Sequence, residues 1–191
     1  MTGAHRWLLV TALLFCASAA HADEVVLRNV AVEPTEGGAH ALNADFEFEL
    51  NGRLEDALDH GVTLDFVIQF ECIRPRWYWF DKRVASRTLN YRLLFHALTR
   101  QYRVSSGGLH QNFSSLADAL AAIGRVRGWT VFDRDQLKPG DACNAGVRLH
   151  LDTNRLPKPF QVRAITDRDW TVDSDWTRWH LVAQAPQGRT P

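Results

Sequence analysis

The chain has 191 residues, with 22 lysines and arginines against 22 aspartates and glutamates, so its formal charge is zero. That balance excludes the strong basic excess of a nucleic-acid binder. After an N-terminal leader is set aside, the length suits one domain with a real core.

Residues 1–22 read as a signal peptide. His5 and Arg6 give a short basic start, Trp7 to Ala20 is apolar, and Ala20-His21-Ala22 supplies a small-x-small cleavage signature. A retained anchor would need roughly 20 apolar residues without an adjacent cleavage site. Phe15 precedes Cys16 where a lipoprotein would need a small residue. Cleavage after Ala22 removes Arg6 and leaves a formal charge of −1. The expected location is the periplasm, and no later segment is apolar enough to span a bilayer.

Residues 23–184 read as a single β-rich domain, and 185–191 as a disordered tail. Val25 to Val32 and Ala39 to Leu50 are strands joined by the turn Thr35-Glu36-Gly37-Gly38, the second with alternating Leu42, Ala44, Phe46, Phe48 and Leu50. Leu54, Ala57 and Leu58 share one helical face, which predicts a short helix over 53–60 ended by Gly61. Val62, Leu64, Phe66, Ile68, Phe70 and Cys72 then make the clearest strand. Leu89, Tyr91, Leu93 and Phe95 alternate again. Ser115-Leu116-Ala117-Asp118 fits a capping box that opens a second helix over 115–127. Trp129 to Phe132 and Val147, Leu149, Leu151 read as further strands. Beyond Pro157-Lys158-Pro159 the chain is irregular, yet Trp170, Trp176 and Trp179 need burial, so this segment should wrap back over the sheet. The expected fold is mainly β (α+β), an antiparallel two-layer sandwich of immunoglobulin type with two short helices.

Cys72 and Cys143 are an even pair in an exported chain, which invites a disulfide. The alternative is that Cys72 is a small buried hydrophobe at a strand end. No C-x-x-C is present to suggest redox chemistry.

Common catalytic signatures are missing from the sequence: there is no G-x-S-x-G, H-E-x-x-H, glycine-rich phosphate loop or zinc-like Cys/His spacing. His40, His60, His96, His110, His150 and His180 are scattered, and no metal or cofactor is expected. The alternating acids of Asp167 to Asp175 lack the glycine and closing glutamate of a calcium loop. What stands out is Arg74-Pro75-Arg76-Trp77-Tyr78-Trp79-Phe80-Asp81-Lys82-Arg83. Strand parity would put Trp77 and Trp79 on one face and Tyr78 and Phe80 on the other. Such a segment is either a stacking platform flanked by guanidinium groups or a sealed sandwich edge with Arg74, Arg76 and Arg83 turned outward. The candidate contact surface is Arg76, Trp77, Tyr78, Trp79 and Arg83, joined by Trp176 and Trp179.

The block from Arg74 to Leu116, with RLHLDTNRLPKPFQV and SDWTRW after it, resembles an uncharacterised family of exported proteobacterial proteins, domain of unknown function 4390. The resemblance implies an envelope location and carries no catalytic residues. It also implies an association with a membrane sensor kinase, near which members tend to be encoded. The reading is a non-enzymatic periplasmic binding or interaction module linked to envelope sensing, with an envelope protein as partner. The alternative is an envelope hydrolase whose Asp and His residues the fold assembles around His96 or His110. A lipid carrier with an apolar cavity is a third option.

Overall fold

The structure, a computed structural model, describes residues 25–76 and 81–184. The expected signal peptide, the expected tail and Trp77 to Phe80 lie outside the described residues. The expected two-layer antiparallel arrangement is present. One sheet has three strands in the order β1-β2-β7 and the other six in the order β6-β5-β4-β3-β8-β9. This division is not the four-and-three arrangement of an immunoglobulin domain.

In chain order the elements are β1 (Val26–Pro34), β2 (His40–Glu47), α1 (Gly52–Asp59), β3 (Leu64–Arg74), β4 (Lys82–His96), β5 (Gln101–Ser106) and β6 (Leu109–Phe113). There follow α2 (Leu116–Gly124), β7 (Arg125–Phe132), β8 (Ala142–Leu151), α3 (Lys158–Thr166) and β9 (Thr177–Val182), with 3-10 turns at Thr153–Arg155 and Arg168–Trp170. Alternation along β3 places Leu64, Phe66, Ile68, Phe70 and Cys72 almost wholly out of solvent. Their partners Leu93 on β4 and Val147 and Leu149 on β8 share that inner face by register. Phe70 packs edge-on against Phe132 of the smaller sheet, ring centroids 5.5 Å apart, and Phe48 meets Phe66 at 5.4 Å. The core therefore lies between the two sheets, with Leu54 and Leu58 of α1 and Leu120 and Ile123 of α2 closing it.

Both expected helices form, and each has a side-chain cap. Asn51 accepts from the Arg53 and Leu54 amides at the start of α1, and Ser115 accepts from the Asp118 amide at the start of α2. These bonds satisfy donors that a helix start leaves orphaned. Two boundaries differ from expectation. Helix α2 ends at Gly124 rather than 127, because Arg125 already pairs with Asp45 in the smaller sheet. A third helix, α3, lies in the segment read as irregular; Pro157 caps it, a further proline follows within its first turn, and none of its residues is fully buried. Cys72 and Cys143 are bonded to each other, with 5.8 Å between their Cα atoms.

His40 is 6 % exposed and sits edge-on to Phe132. Neither of its ring nitrogens has a hydrogen-bond partner, and burial pushes its pKa below the ordinary value. Burial and the Arg148 guanidinium lower that of His150 as well. In this pH range the unfolded chain binds protons that the folded chain refuses. Stability is therefore complete above the unfolded-state value of about 6.5 and falls as pH drops below it. His60 is shifted upward by the Asp56 carbonyl and carboxylate and opposes the trend, but it is fully exposed. Urea midpoints should decline between about pH 7.5 and 5.5, and His40→Phe should flatten that decline. A variant with the wild-type slope would show that His40 is not the proton-linked group.

Candidate functional site

Strand parity sorts the large sheet into an apolar inner face and a polar outer face. On the outer face Gln69 stands opposite Arg148 and Thr88, and Glu71 opposite Gly146 and Ser86. Arg178 of β9 pairs with Gly146 from the other side. Ser86, Thr88, Asn90 and Arg92 are all exposed along β4.

The most organised part of this face is built on Trp176. Asp175 adopts φ of 54°, an uncommon conformation for a residue with a side chain, and its amide donates to the Asp173 carboxylate at 2.9 Å. Aspartate enters this backbone region more readily than most residues with a side chain, and here the Asp173 carboxylate holds the turn. Trp176 then lies against Gly146, where a Cβ would approach the ring to 3.1 Å, so the glycine leaves room for the indole. The Arg148 and Arg178 guanidinium carbons sit 5.0 and 5.2 Å from the ring centroid. Arg148 donates to Gln69 Oε1 at 2.8 Å, and Arg178 donates to Glu71 Oε1 at 2.8 Å. Stacking on the indole and these bonds hold two guanidinium groups in place while part of each remains in solvent.

A second charged cluster lies further along the face. Asp65, 7 % exposed, accepts from Arg92 Nε at 3.2 Å and from Arg155 Nη1 at 3.4 Å. These side chains, with His60 and Thr63, line an opening of about 420 Å³.

The expected contact residues are divided by the fold. Arg74 pairs with Lys82 at the end of the β3–β4 hairpin. Trp77, Tyr78 and Trp79 fall outside the described residues. Arg76 precedes them and is exposed; Arg83 follows, is exposed, and shares the outer face with Ile73. Trp176 and Trp179 are not neighbours on one surface. Their spacing of three puts Trp176 outward, while Trp179 pairs with Ala145 and packs toward Phe70, ring centroids 6.4 Å apart. The sequence reading missed Arg148 and Arg178. Their outward parity was readable, but their partnership with Trp176 depends on the β8–β9 register.

His96 and His110, around which the alternative hydrolase was expected, line none of three prominent openings among the described residues. His110 Nδ1 is 2.8 Å from the Ser105 hydroxyl rather than from a carboxylate. His60 lies beside Asp56 at 3.4 Å, but both are exposed, and Asp65 is already occupied by two arginines. The largest of these three openings, about 1070 Å³, is a groove between the ends of β1 and β2 and helix α2. Its apolar lining of Phe46, Phe48 and Leu120 is at most 9 % exposed, and Arg28 and Glu47 stand at its wall. No group of three or more potential metal ligands occurs among the described residues. No described helix is long and apolar enough to cross a membrane.

No curated protein and no solved structure matches the chain. The model of a family described as a domain of unknown function matches residues 22–180. That span covers most of the sequence and takes in every strand and helix described above except the last two residues of β9, so the chain belongs to the DUF4390 family.

Proposed function

We propose that the chain is an exported binding module of the cell envelope that makes contact through the outer face of its six-stranded sheet, without catalysing a reaction. The observation that carries this reading is the Arg148–Trp176–Arg178 stack. An aromatic ring seated over a glycine holds two partly exposed guanidinium groups on an open sheet face. Arg83 shares that face, and Arg76 lies in the hairpin connection that Arg83 helps to close. The leader-like start of the sequence and the Cys72–Cys143 bond support an oxidising, exported setting. The partner suggested by family association, a membrane sensor kinase, is one component of the envelope that such a face could contact.

The test is co-sedimentation of the purified chain with envelope fractions. The wild-type chain should sediment with them, and Arg148→Gln/Arg178→Gln should do so about tenfold less. Arg28→Gln, in the smaller sheet, should behave as wild type. Equal losses in both variants, or no sedimentation of the wild type, would overturn the assignment. Trp77→Ala/Trp79→Ala should likewise lose envelope binding while keeping its unfolding midpoint; an unfolded double variant would place those tryptophans in the structural scaffold instead.

A further inference from the structure

Resting on the binding role above, we infer that the outer face of the six-stranded sheet takes an anionic polysaccharide, a sugar polymer carrying spaced carboxylate groups. Arg92 faces outward opposite Asp65, and Arg83 opposite Ile73. Arg103 lies opposite Leu94, Arg148 opposite Gln69, and Arg178 opposite Gly146. The carboxylates contributed by strands to the same face are Asp65 and Glu71, both on β3. At the rim Arg155 Nε is 3.3 Å from the Asp152 carboxylate, and Asp173 lies 3.9 Å from Arg148. With Asp81 beside Ile73 and Arg178 also counted, the face keeps a small positive excess in a chain that is formally neutral as a whole. Charge separated in this way attracts anions from a distance and orients them on arrival.

The arrangement of those charges selects the ligand. The five arginines are spread over four strands, β4, β5, β8 and β9, and adjacent strands stand about 4.8 Å apart. No single small anion can reach them all, whereas an extended chain can. Asp65 and Glu71 interrupt the positive field in the middle of the sheet, which suits single charges at intervals better than a dense phosphate backbone. Between the arginines stand Gln69, Ser86, Thr88, Asn90, Ser105 and Asn112, a set of amide and hydroxyl groups able to exchange hydrogen bonds with sugar hydroxyls. Arg83 has no ion pair among the described residues, and Arg103 donates only to Asn112 Oδ1 at 3.1 Å, so both keep donors for a ligand.

Two other occupants fit less well. A protein interface normally has an apolar, aromatic centre. Here the central outward apolar residue, Val67, is only 6 % exposed, and the Trp176 ring is flanked by the Arg148 and Arg178 guanidinium groups. A membrane surface would call for apolar side chains beside the basic ones. Of the exposed apolar residues, Val182 alone shares this face, at the end of edge strand β9, whereas Leu98, Leu109, Val162 and Ile165 lie on a hairpin tip, the start of edge strand β6 and helix α3.

Affinity electrophoresis through gels holding polygalacturonate tests the inference, with neutral dextran and phosphatidylglycerol vesicles as comparison probes. Polygalacturonate should retard the purified chain at about 0.15 M salt, and the retardation should vanish near 1 M. Dextran should not retard it. Arg148→Gln/Arg178→Gln should bind about tenfold more weakly or worse. Arg83→Gln/Arg103→Gln, which breaks no ion pair among the described residues, should lose affinity while keeping the wild-type unfolding midpoint. Arg28→Gln should bind as wild type. Equal retardation by dextran, unchanged binding in both double variants, or binding to vesicles alone would each overturn the inference. Envelope co-sedimentation that depends on Arg148 and Arg178 without any binding to polygalacturonate would remove the polysaccharide and leave the binding face standing.

Discussion

Gly124→Ala should destabilise the chain by about 3 kcal/mol, among the largest effects of a single methyl group in this fold. Gly124 is the last residue of α2, and Arg125 immediately pairs with Asp45 of β2. The turn from helix to strand presses the glycine onto the β2 backbone. A Cβ there would overlap the Phe46 carbonyl oxygen and stand 3.2 Å from the Phe46 carbonyl carbon. Backbone atoms cannot rotate away as a long side chain can, and Phe46 is itself fixed in the core at 5 % exposure. Relief requires α2 to lift, and that movement would open the packing of Leu120 and Ile123. Gly52, the first residue of α1, has nothing within 4 Å of its would-be Cβ, so Gly52→Ala should stay within about 0.5 kcal/mol of wild type. Urea denaturation of the two variants separates close approach from chain flexibility. Similar costs at both positions would show that packing against Phe46 is not the reason for glycine at 124.

Local patterns in the sequence revealed those parts of the fold in which one residue's surroundings are set by near neighbours. The alternation from Leu64 to Cys72 is readable because β3 has one face wholly in the core. Helices α1 and α2 are readable because each buries a single stripe behind a side-chain cap. Helix α3 was hidden because it buries no residue fully and two prolines at its start read as punctuation. A proline in the first turn of a helix costs no hydrogen bond, since its missing amide would have no intrahelical partner. The proposed binding face was legible only in fragments. Trp176 stood out by type, but its guanidinium neighbours come from β8 and from two residues further along, and Gly146 completes the seat through cross-strand pairing. The stretch from Arg74 to Arg83 drew attention by its aromatics. Its described ends belong to the hairpin that joins β3 and β4, so a continuous strand parity does not run through Pro75 and Arg76.

Replacing the disulfide should cost about 4 kcal/mol in Cys72→Ala/Cys143→Ala. The bond closes a sequence separation of 71 residues and joins neighbouring strands β3 and β8 on their inner face. Both cysteines are at most 1 % exposed, so loss of the sulfur atoms also leaves the core less well filled. Between them in sequence lie β4, β5, β6, α2 and β7, whose arrangement in the unfolded chain the bond restricts. A domain of this size has a total stability of roughly 5–15 kcal/mol, so the loss would be a large fraction of the whole. The purified oxidised chain should unfold at a clearly lower urea concentration once reduced with dithiothreitol in the unfolded state, and the double variant should match the reduced protein. A difference under about 1 kcal/mol would mean that the sheet holds its register without the bond. The expected result ties stability to compartment, because a reducing interior would withhold the bond and an oxidising envelope would supply it. The same bond steadies the proposed binding face, since Arg148 lies five residues beyond Cys143 on the strand that it anchors. Reduction should therefore weaken envelope binding at temperatures where the reduced fold begins to open, and Arg28→Gln should lose binding in parallel with wild type, because the defect would lie in the scaffold and not in the charge it presents.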